Sequence, residues 1–261
     1  MRVLWGGLLA GLVLAAVLIA VGPTRTAPVA PEVTRTESVR VLQMNLCNSG
    51  LAACYTGRAV AVAAEVIRAD APDVVTLNEV CRSDVDVLGR GFGASAFRPA
   101  LDRRTGAAFR CRNGEPYGIA VLTRRPMIDS EGGAYPRQNP ADPEERVWLC
   151  VDTAGLAACT THLDATNAGV ARAQCDHLVD AVLPARRMPT VLGGDFNLRS
   201  DVRRCLSAGA RADDGGVQNV VVSAPFAITG ERRIDMRGTT DHPGLLVTLT
   251  HLRTAAAASV V

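Results

Sequence analysis

Short apolar runs punctuated by turn residues fill the chain after residue 37, with longer helix-like runs between some of them. Val39–Leu46 and Asp73–Leu77 predict strands, separated by an Ala- and Val-rich helix over Arg58–Ala69. Arg82–Gly89 reads as a second helix and Gly118–Thr123 as a third strand, with a loop over Gly91–Pro116 between them. A Pro- and Gly-rich excursion then runs to Glu145. Arg146–Thr153 and Leu156–Thr161 alternate like strands around the two-residue turn Ala154-Gly155, which predicts a hairpin. Asn167–Leu183 reads as a helix capped by Asn167, with Val170, Ala173, Leu178, Ala181 and Val182 along one side. Thr190–Leu192 is a strand running into Gly193-Gly194-Asp195-Phe196-Asn197, followed by a short helix over Asp201–Leu206. Strands close the chain near Val217–Val222, Arg232–Met236 and Leu245–His251. Strands that interleave with helices around a central hairpin imply mixed sheets covered by helices, not a purely parallel sheet.

The first 37 residues follow a different pattern. Val3 to Gly22 carries no charge and is almost wholly apolar, long enough at ~20 residues to span a bilayer. Residues 1–22 are therefore expected to be a membrane anchor or a signal segment; a buried core helix is the plain alternative. The small residues after the run, Gly22, Ala27 and Ala30, are each followed by proline, which disfavours cleavage there. Residues 23–37, rich in Pro, Thr and Ala, read as a linker. The chain is thus expected to be exported, either secreted or anchored with residues 38–253 outside the membrane and 254–261 as a tail. All eight cysteines lie beyond the apolar segment, and an even count in an exported domain suggests disulfides. In the register set by the hairpin turn, Cys150 lies opposite Cys159, a position that a disulfide can bridge. Proximity along the chain suggests Cys47–Cys54, Cys81–Cys111 and Cys175–Cys205.

Charge excludes little. The 28 basic and 26 acidic residues nearly cancel, so no bulk attraction to nucleic acid follows. Lysine is absent, so any permanently cationic side chain touching an anion is a guanidinium.

Polar residues recur where apolar strands end: Asn45, Glu79, His162, Asp195 with Asn197, Asp235, and Asp241-His242 before the last strand. Singly, an Asp or Asn in such a place is more often a turn former. Together they describe a rim of groups around one cleft. Carboxylate and amide oxygens suit magnesium, calcium or manganese, and two histidines beside carboxylates can move protons near neutral pH. That combination fits hydrolysis of a phosphate ester.

The ordered set Gln43-Met44-Asn45, Asn78-Glu79, Tyr117-Gly118, Thr161-His162, Gly194-Asp195-Phe196-Asn197, Ile234-Asp235 and Thr240-Asp241-His242-Pro243 resembles the endonuclease/exonuclease/phosphatase superfamily. The resemblance runs from residue 39 to about residue 250. It departs from the common pattern at Asn78, often Gln, and at Thr240, often Ser; both positions stay polar. The resemblance implies an α/β fold, a deoxyribonuclease I-like four-layer sandwich of two mixed β-sheets flanked by helices. It further implies that Asn45 and Glu79, with Asp241 beside them, hold a divalent metal. That metal is most often magnesium, with manganese or calcium as alternatives. His242 would be the general base, oriented by Asp241 or by another carboxylate such as Asp235. His162 would stabilise or protonate the leaving group. Asp195 and Asn197 would orient the nucleophile and contact the phosphate, and Tyr117 and Asp235 would complete the phosphate pocket. Arg146 is a further candidate phosphate clamp, or else an exposed edge-strand arginine. His177, inside a helix, reads as a packing or surface residue, and His251 has no motif around it.

Three functions compete. The first is a monomeric extracellular nuclease on DNA or RNA, supported by Arg98, Arg103, Arg104, Arg110 and Arg112 in the loop after Glu79. The second is a phosphatase or sphingomyelinase-type phosphodiesterase on lipid or small phosphate esters, kept near its substrate by the N-terminal segment at the membrane. The third is a non-catalytic binding module, disfavoured because the polar set is complete.

Overall fold

The computed structural model describes residues 37–206 and 209–251. The expected anchor or signal segment and the tail lie outside the described residues, as does the linker apart from Glu37. Among the described residues no helix is long and apolar enough to cross a membrane.

The chain first lays down β1 (Glu37–Asn45), α1 (Ala59–Asp70), β2 (Val74–Cys81), α2 (Arg82–Leu88), β3 (Ala94–Pro99), the two-residue β4 (Leu101–Asp102) and β5 (Tyr117–Thr123). It then crosses to β6 (Met127–Ala134), the short β7 (Glu144–Glu145), β8 (Val147–Thr153), β9 (Leu156–His162) and α3 (Ala168–His177). β10 (Thr190–Asp195), α4 (Val202–Cys205), β11 (Ala210–Asp213) and β12 (Gln218–Val222) follow, and β13 (Phe226–Ile234) and β14 (Gly244–His251) return. Two six-stranded sheets result, ordered β13-β14-β1-β2-β5-β3 and β11-β12-β10-β9-β8-β6, and β4 pairs with β7. Within them β1 runs parallel to β2 and β9 parallel to β10, while the other pairs are antiparallel.

Period-two alternation explains the layering. Val39 and Val41 of β1, Ile119 and Val121 of β5, and Val191 of β10 point into the core between the sheets. Their neighbours Leu42, Met44, Ala120 and Leu122 face α1 and α2 on one outside face. Leu192 and Val221 face α3 and α4 on the other. On α1 the buried positions Ala59, Val62, Ala63, Val66 and Ile67 form one helical stripe. Fully burying each Val, Leu or Ile side chain contributes about 1.5–3 kcal/mol. The outcome is the expected α/β sandwich of two mixed sheets flanked by helices.

Three strands depart from the sequence-based expectation. β3 lies inside the expected loop, β6 inside the Pro- and Gly-rich excursion, and β11 where no element was expected. All three are sheet edges. An edge strand buries little of itself, so it needs no apolar alternation: six of the eight residues of β6 are exposed, Met127 to Glu131 and Ala134. The expected helix over Asn167–Leu183 is capped as predicted, with Asn167 Oδ1 accepting from Gly169 N and Val170 N at 3.1 Å each. It loosens after His177 into a π-helical turn, Leu178–Val182.

Disulfides join Cys47 to Cys54, Cys81 to Cys111, Cys150 to Cys159 and Cys175 to Cys205. Cys150 and Cys159 are register partners on β8 and β9, with Cα atoms 4.0 Å apart. Four disulfides and no free cysteine point to an oxidising compartment.

One polar seam crosses the core between the sheets. Gln43 Nε2 on β1 donates to Asn78 Oδ1 on β2 (2.7 Å) and, across the gap, to Gln218 Oε1 on β12 (2.8 Å). Thr76 Oγ1 donates to Gln43 Oε1 at 2.5 Å. Asn78 Nδ2 donates to the Thr161 carbonyl (2.9 Å), and Asn78 Oδ1 accepts from Asp195 N (2.9 Å). Gln218 Nε2 donates to Asp195 Oδ2 at 2.8 Å. Every one of these side chains is buried, so each amide depends on the others for its partners. The sheets approach so closely here that a Cβ on Gly193 would collide with Thr76 Oγ1, which is why the turn-like Gly193-Gly194 pair sits inside a strand.

Two outcomes are expected. Gln218→Leu strips partners from Gln43 and Asp195 and should cost about 1–3 kcal/mol, read as a lower Tm; an unchanged Tm would show that the seam contributes nothing. Peptide mapping without reduction should link Cys150 to Cys159, and a free thiol at either position would contradict the hairpin register.

Candidate active site

Two parallel strand pairs set the rim. Asn45 ends β1 beside Asn78 of β2, and Asp195 ends β10 beside His162 of β9. Parallel neighbours end on the same side, so both pairs deliver their last side chains to one place. Glu79 sits at a break in the β2–β5 register and takes φ +57°, a left-handed backbone unusual for a glutamate. The turn before β14 completes the rim: Thr240 Oγ1 donates to the Asn45 carbonyl at 2.9 Å, tying Asp241 and His242 to the end of β1.

These groups line a cleft of about 540 Å³. Asn45 lies beneath it, donating through Nδ2 to Glu79 Oε1 (2.8 Å) and Asp195 Oδ2 (3.1 Å), while Cys47 N donates to its Oδ1 (3.0 Å). Burial raises the Glu79 carboxyl above its usual range; the Asn45 bond opposes this, and the charges of Asp195 and Asp241 add to it. Asp195 is likewise raised by burial, against the pull of His242 and its hydrogen bonds. His242 Nε2 lies 3.5 Å from Asp195 Oδ2 and 3.6 Å from Asp241 Oδ1. Asn197, at φ +51°, donates through Nδ2 to the Leu163 carbonyl (3.0 Å), and its backbone N donates to Asp195 Oδ1 (3.1 Å).

On the opposite wall His162 is buried, with Nε2 3.8 Å from Glu79 Oε1 and Nδ1 3.0 Å from Arg146 Nη1. Burial, then Arg146 and His242, push the imidazole well below its ordinary pKa, so it is neutral. Arg146 stays charged despite its burial, because Glu144 Oε1 and Asp142 Oδ2 stand 3.2 Å from its Nη1 and Nη2. Burial pushes the Glu144 carboxyl up to about 7, with Arg146 opposing. Tyr117 is buried beside them, and desolvation holds its hydroxyl protonated. Leu51 and Ala52, from the loop closed by Cys47–Cys54, and Phe109, from the loop held by Cys81–Cys111, form an apolar wall.

The structure brings Asn45, Glu79, Tyr117, Arg146, His162, Asp195, Asn197, Asp241 and His242 together. Asp235 is the exception. Its side chain is exposed and its Oδ1 accepts from Arg237 N (2.7 Å), so it caps the turn after β13 and neither lines the cleft nor holds His242. Asp195 stands where that alternative carboxylate was expected. Arg146 is neither an exposed edge residue nor an unencumbered clamp, since its guanidinium is engaged by three neighbours. Gln218, Asp142 and Glu144 escaped the motif reading. Their only signals were a glutamine heading an otherwise apolar strand and a run of acids before the hairpin. The charges of Asp195 and Asp241 both raise the Glu79 carboxyl, a repulsion that a hard divalent cation held at Glu79 would offset.

The sequence pattern of the Endonuclease/Exonuclease/phosphatase family matches residues 43–248. No curated protein matches by sequence. Among solved structures, an endonuclease/exonuclease/phosphatase from Beutenbergia cavernae is 22% identical with a TM-score of 0.66, over 84% of this chain and 73% of that one. The human Nocturnin catalytic domain with bound sulfate is 17% identical with a TM-score of 0.61, over 84% and 98%. A mannosyl-6-phosphatase from Bacteroides thetaiotaomicron is 13% identical with a TM-score of 0.58, over 81% and 99%. At these identities the structures speak for the fold, and the match over residues 43–248 settles kinship: the chain belongs to the endonuclease/exonuclease/phosphatase family of metal-dependent phosphoesterases.

Proposed function

We propose that the protein is an exported, magnesium-dependent phosphodiesterase that cleaves nucleic acid. The observation that carries the chemistry is the convergence of Glu79, Asp195, Asp241 and two imidazoles in one partly enclosed cleft. Glu79, Asn45 and Asp241 are the residues that would hold the cation, which when bound supplies positive charge against the phosphoryl oxygens. His242 takes the proton of the attacking water, with Asp195 and Asp241 stabilising the imidazolium that forms. His162 and Tyr117 present neutral donors to the phosphate and the leaving oxygen. Asn197 is fixed by its bonds to Leu163 and Asp195 and orients the phosphate.

Arginines on loops next to the cleft favour a polyanionic substrate. Arg110 and Arg112 are exposed on the disulfide-tethered loop, Arg112 lying over the Tyr55 ring at 5.9 Å. Two residues beyond Asn197, Arg199 begins a hollow shared with Arg203 and Arg211, in which, among the described residues, only Arg211 is in an ion pair, with Asp213. A phosphate backbone crossing the cleft would meet both groups. A second reading, a phosphodiesterase or phosphatase on lipid or small esters, is favoured by the apolar wall and by Leu51, which is 60% exposed at the rim. Export is supported by the four disulfides.

Release of acid-soluble nucleotides from DNA and RNA, set against release of phosphocholine from sphingomyelin and of phosphate from small monoesters, decides the substrate. Hydrolysis of nucleic acid that stops with chelator is the expected result; turnover of sphingomyelin alone would favour the second reading. Glu79→Gln should keep the fold and nearly abolish turnover at ordinary magnesium, and wild-type turnover would remove Glu79 from the site. His242→Ala should slow the single-turnover step about 10²–10⁴-fold at saturating metal. His177→Ala, whose ring packs edge-on against Tyr135 5.9 Å away and outside the cleft, should do little. Equal losses in the two variants would indicate misfolding.

A further inference from the structure

The cleft contains two histidines in opposite electrostatic settings. His242 turns a ring nitrogen toward two carboxylates. His162 turns Nδ1 toward a guanidinium, with Arg146 Nη1 3.0 Å away. Arginine has five N–H donors, no acceptor, and does not lose its proton in proteins. Nδ1 must therefore be the acceptor of that bond and carry no hydrogen, since a proton there would set two donors head to head. An imidazole carries at least one ring proton, so that proton is on Nε2, the nitrogen that faces Glu79 at 3.8 Å.

We infer that Arg146 is a positioning residue that fixes His162 as its Nε2–H tautomer, so that this histidine offers the cleft a hydrogen bond and never a lone pair. The inference deepens the phosphodiesterase reading and rests on it for the role of His162 toward the leaving oxygen. Arg146 is itself held. Nη1 hydrogen-bonds His162 Nδ1 and lies in an ion pair 3.2 Å from Glu144 Oε1, and Nη2 donates to Asp142 Oδ2 at 3.2 Å. The guanidinium is thus held between His162 and two carboxylates, and its Nε is buried without a hydrogen-bond partner. The backbone of Arg146 is pinned as well, its N donating to Gln138 Oε1 (2.9 Å) and its carbonyl accepting from Gln138 Nε2 (2.9 Å). A histidine backed by a carboxylate carries its proton on the backed nitrogen and presents a bare one. Backing by arginine reverses that polarity. His162 becomes a donor of fixed direction, while the base is left to His242.

Long-range proton–nitrogen NMR correlation on ¹⁵N-histidine protein reads the tautomer directly, with His162→Ala used for assignment. The wild-type chain should show His162 with a protonated Nε2 and a bare Nδ1; a protonated Nδ1 would overturn the inference. Arg146→Met keeps much of the length without the donors. It should release His162 to a mixture of tautomers and lower kcat on a chromogenic phosphodiester with magnesium by about 10–100-fold. Arg146→Lys, which keeps one donor, should restore the tautomer in part. The double variant Arg146→Met/His162→Ala should be no slower than His162→Ala, because Arg146 acts through the ring. Additive losses would mean that Arg146 touches the substrate itself, and would refute the positioning role. Should Arg146→Met fail to fold, the wild-type tautomer and Arg146→Lys decide the matter. If the wild-type chain hydrolysed no phosphodiester with any divalent metal, the functional reading would fail while the tautomer result stood.

Discussion

The bond from Gln43 to Gln218, with those from Asn78 to Thr161 and Asp195, joins two sheets whose remaining interface is mostly apolar. Apolar packing alone sets a separation but tolerates sliding, because it has no direction. A buried amide network has direction, and an unmet partner in it costs the full desolvation of the group. The seam therefore fixes how β10 and β12 stand against β1 and β2. The same amides end on a carboxylate of the cleft: Gln218 and Asn45 share Asp195 Oδ2, and Asn78 receives its backbone N–H. Registry between sheets and the position of Asp195 are thus one constraint.

From that constraint the electrostatics of the cleft follow. Burial raises both Asp195 and Glu79, and the charges of Asp195 and Asp241 raise Glu79 further. Such crowding is stable in a fold only if something else compensates, and here the amides beneath the cleft do so through their hydrogen bonds to Glu79 and Asp195. Across the cleft the arrangement is inverted, with a buried arginine between two carboxylates keeping a neutral histidine in place. Rigid strand ends carry most of these groups, and disulfides hold the loops that form the apolar wall.

How much of this was legible in the sequence depended on burial. Central strands such as β1, β5 and β10 are covered on both faces and announce themselves as apolar runs, and the Ala154-Gly155 turn fixed the Cys150–Cys159 register. Edge strands such as β6 bury too little to leave a signal. The site divided in the same way. Residues in short ordered motifs, Asn45, Glu79, His162, Asp195 and His242, were readable because they interrupt apolar strands. Asp235 interrupts one too, yet faces solvent, since the sequence does not say to which side of the turn its carboxylate points. Gln218 stayed hidden because its partner Gln43 lies 175 residues away, and Glu144 because it sits itself in the Pro- and Gly-rich stretch without pattern.

A crystal soaked with manganese and inorganic phosphate tests the account most directly. Manganese stands in for magnesium and is located by its anomalous scattering. The account predicts a peak bonded to Glu79 at about 2.0–2.2 Å, with a phosphate oxygen between it and His162 Nε2. A manganese ion and phosphate bound elsewhere, with Glu79 and Asp195 still bonded only to Asn45 and Gln218, would contradict it.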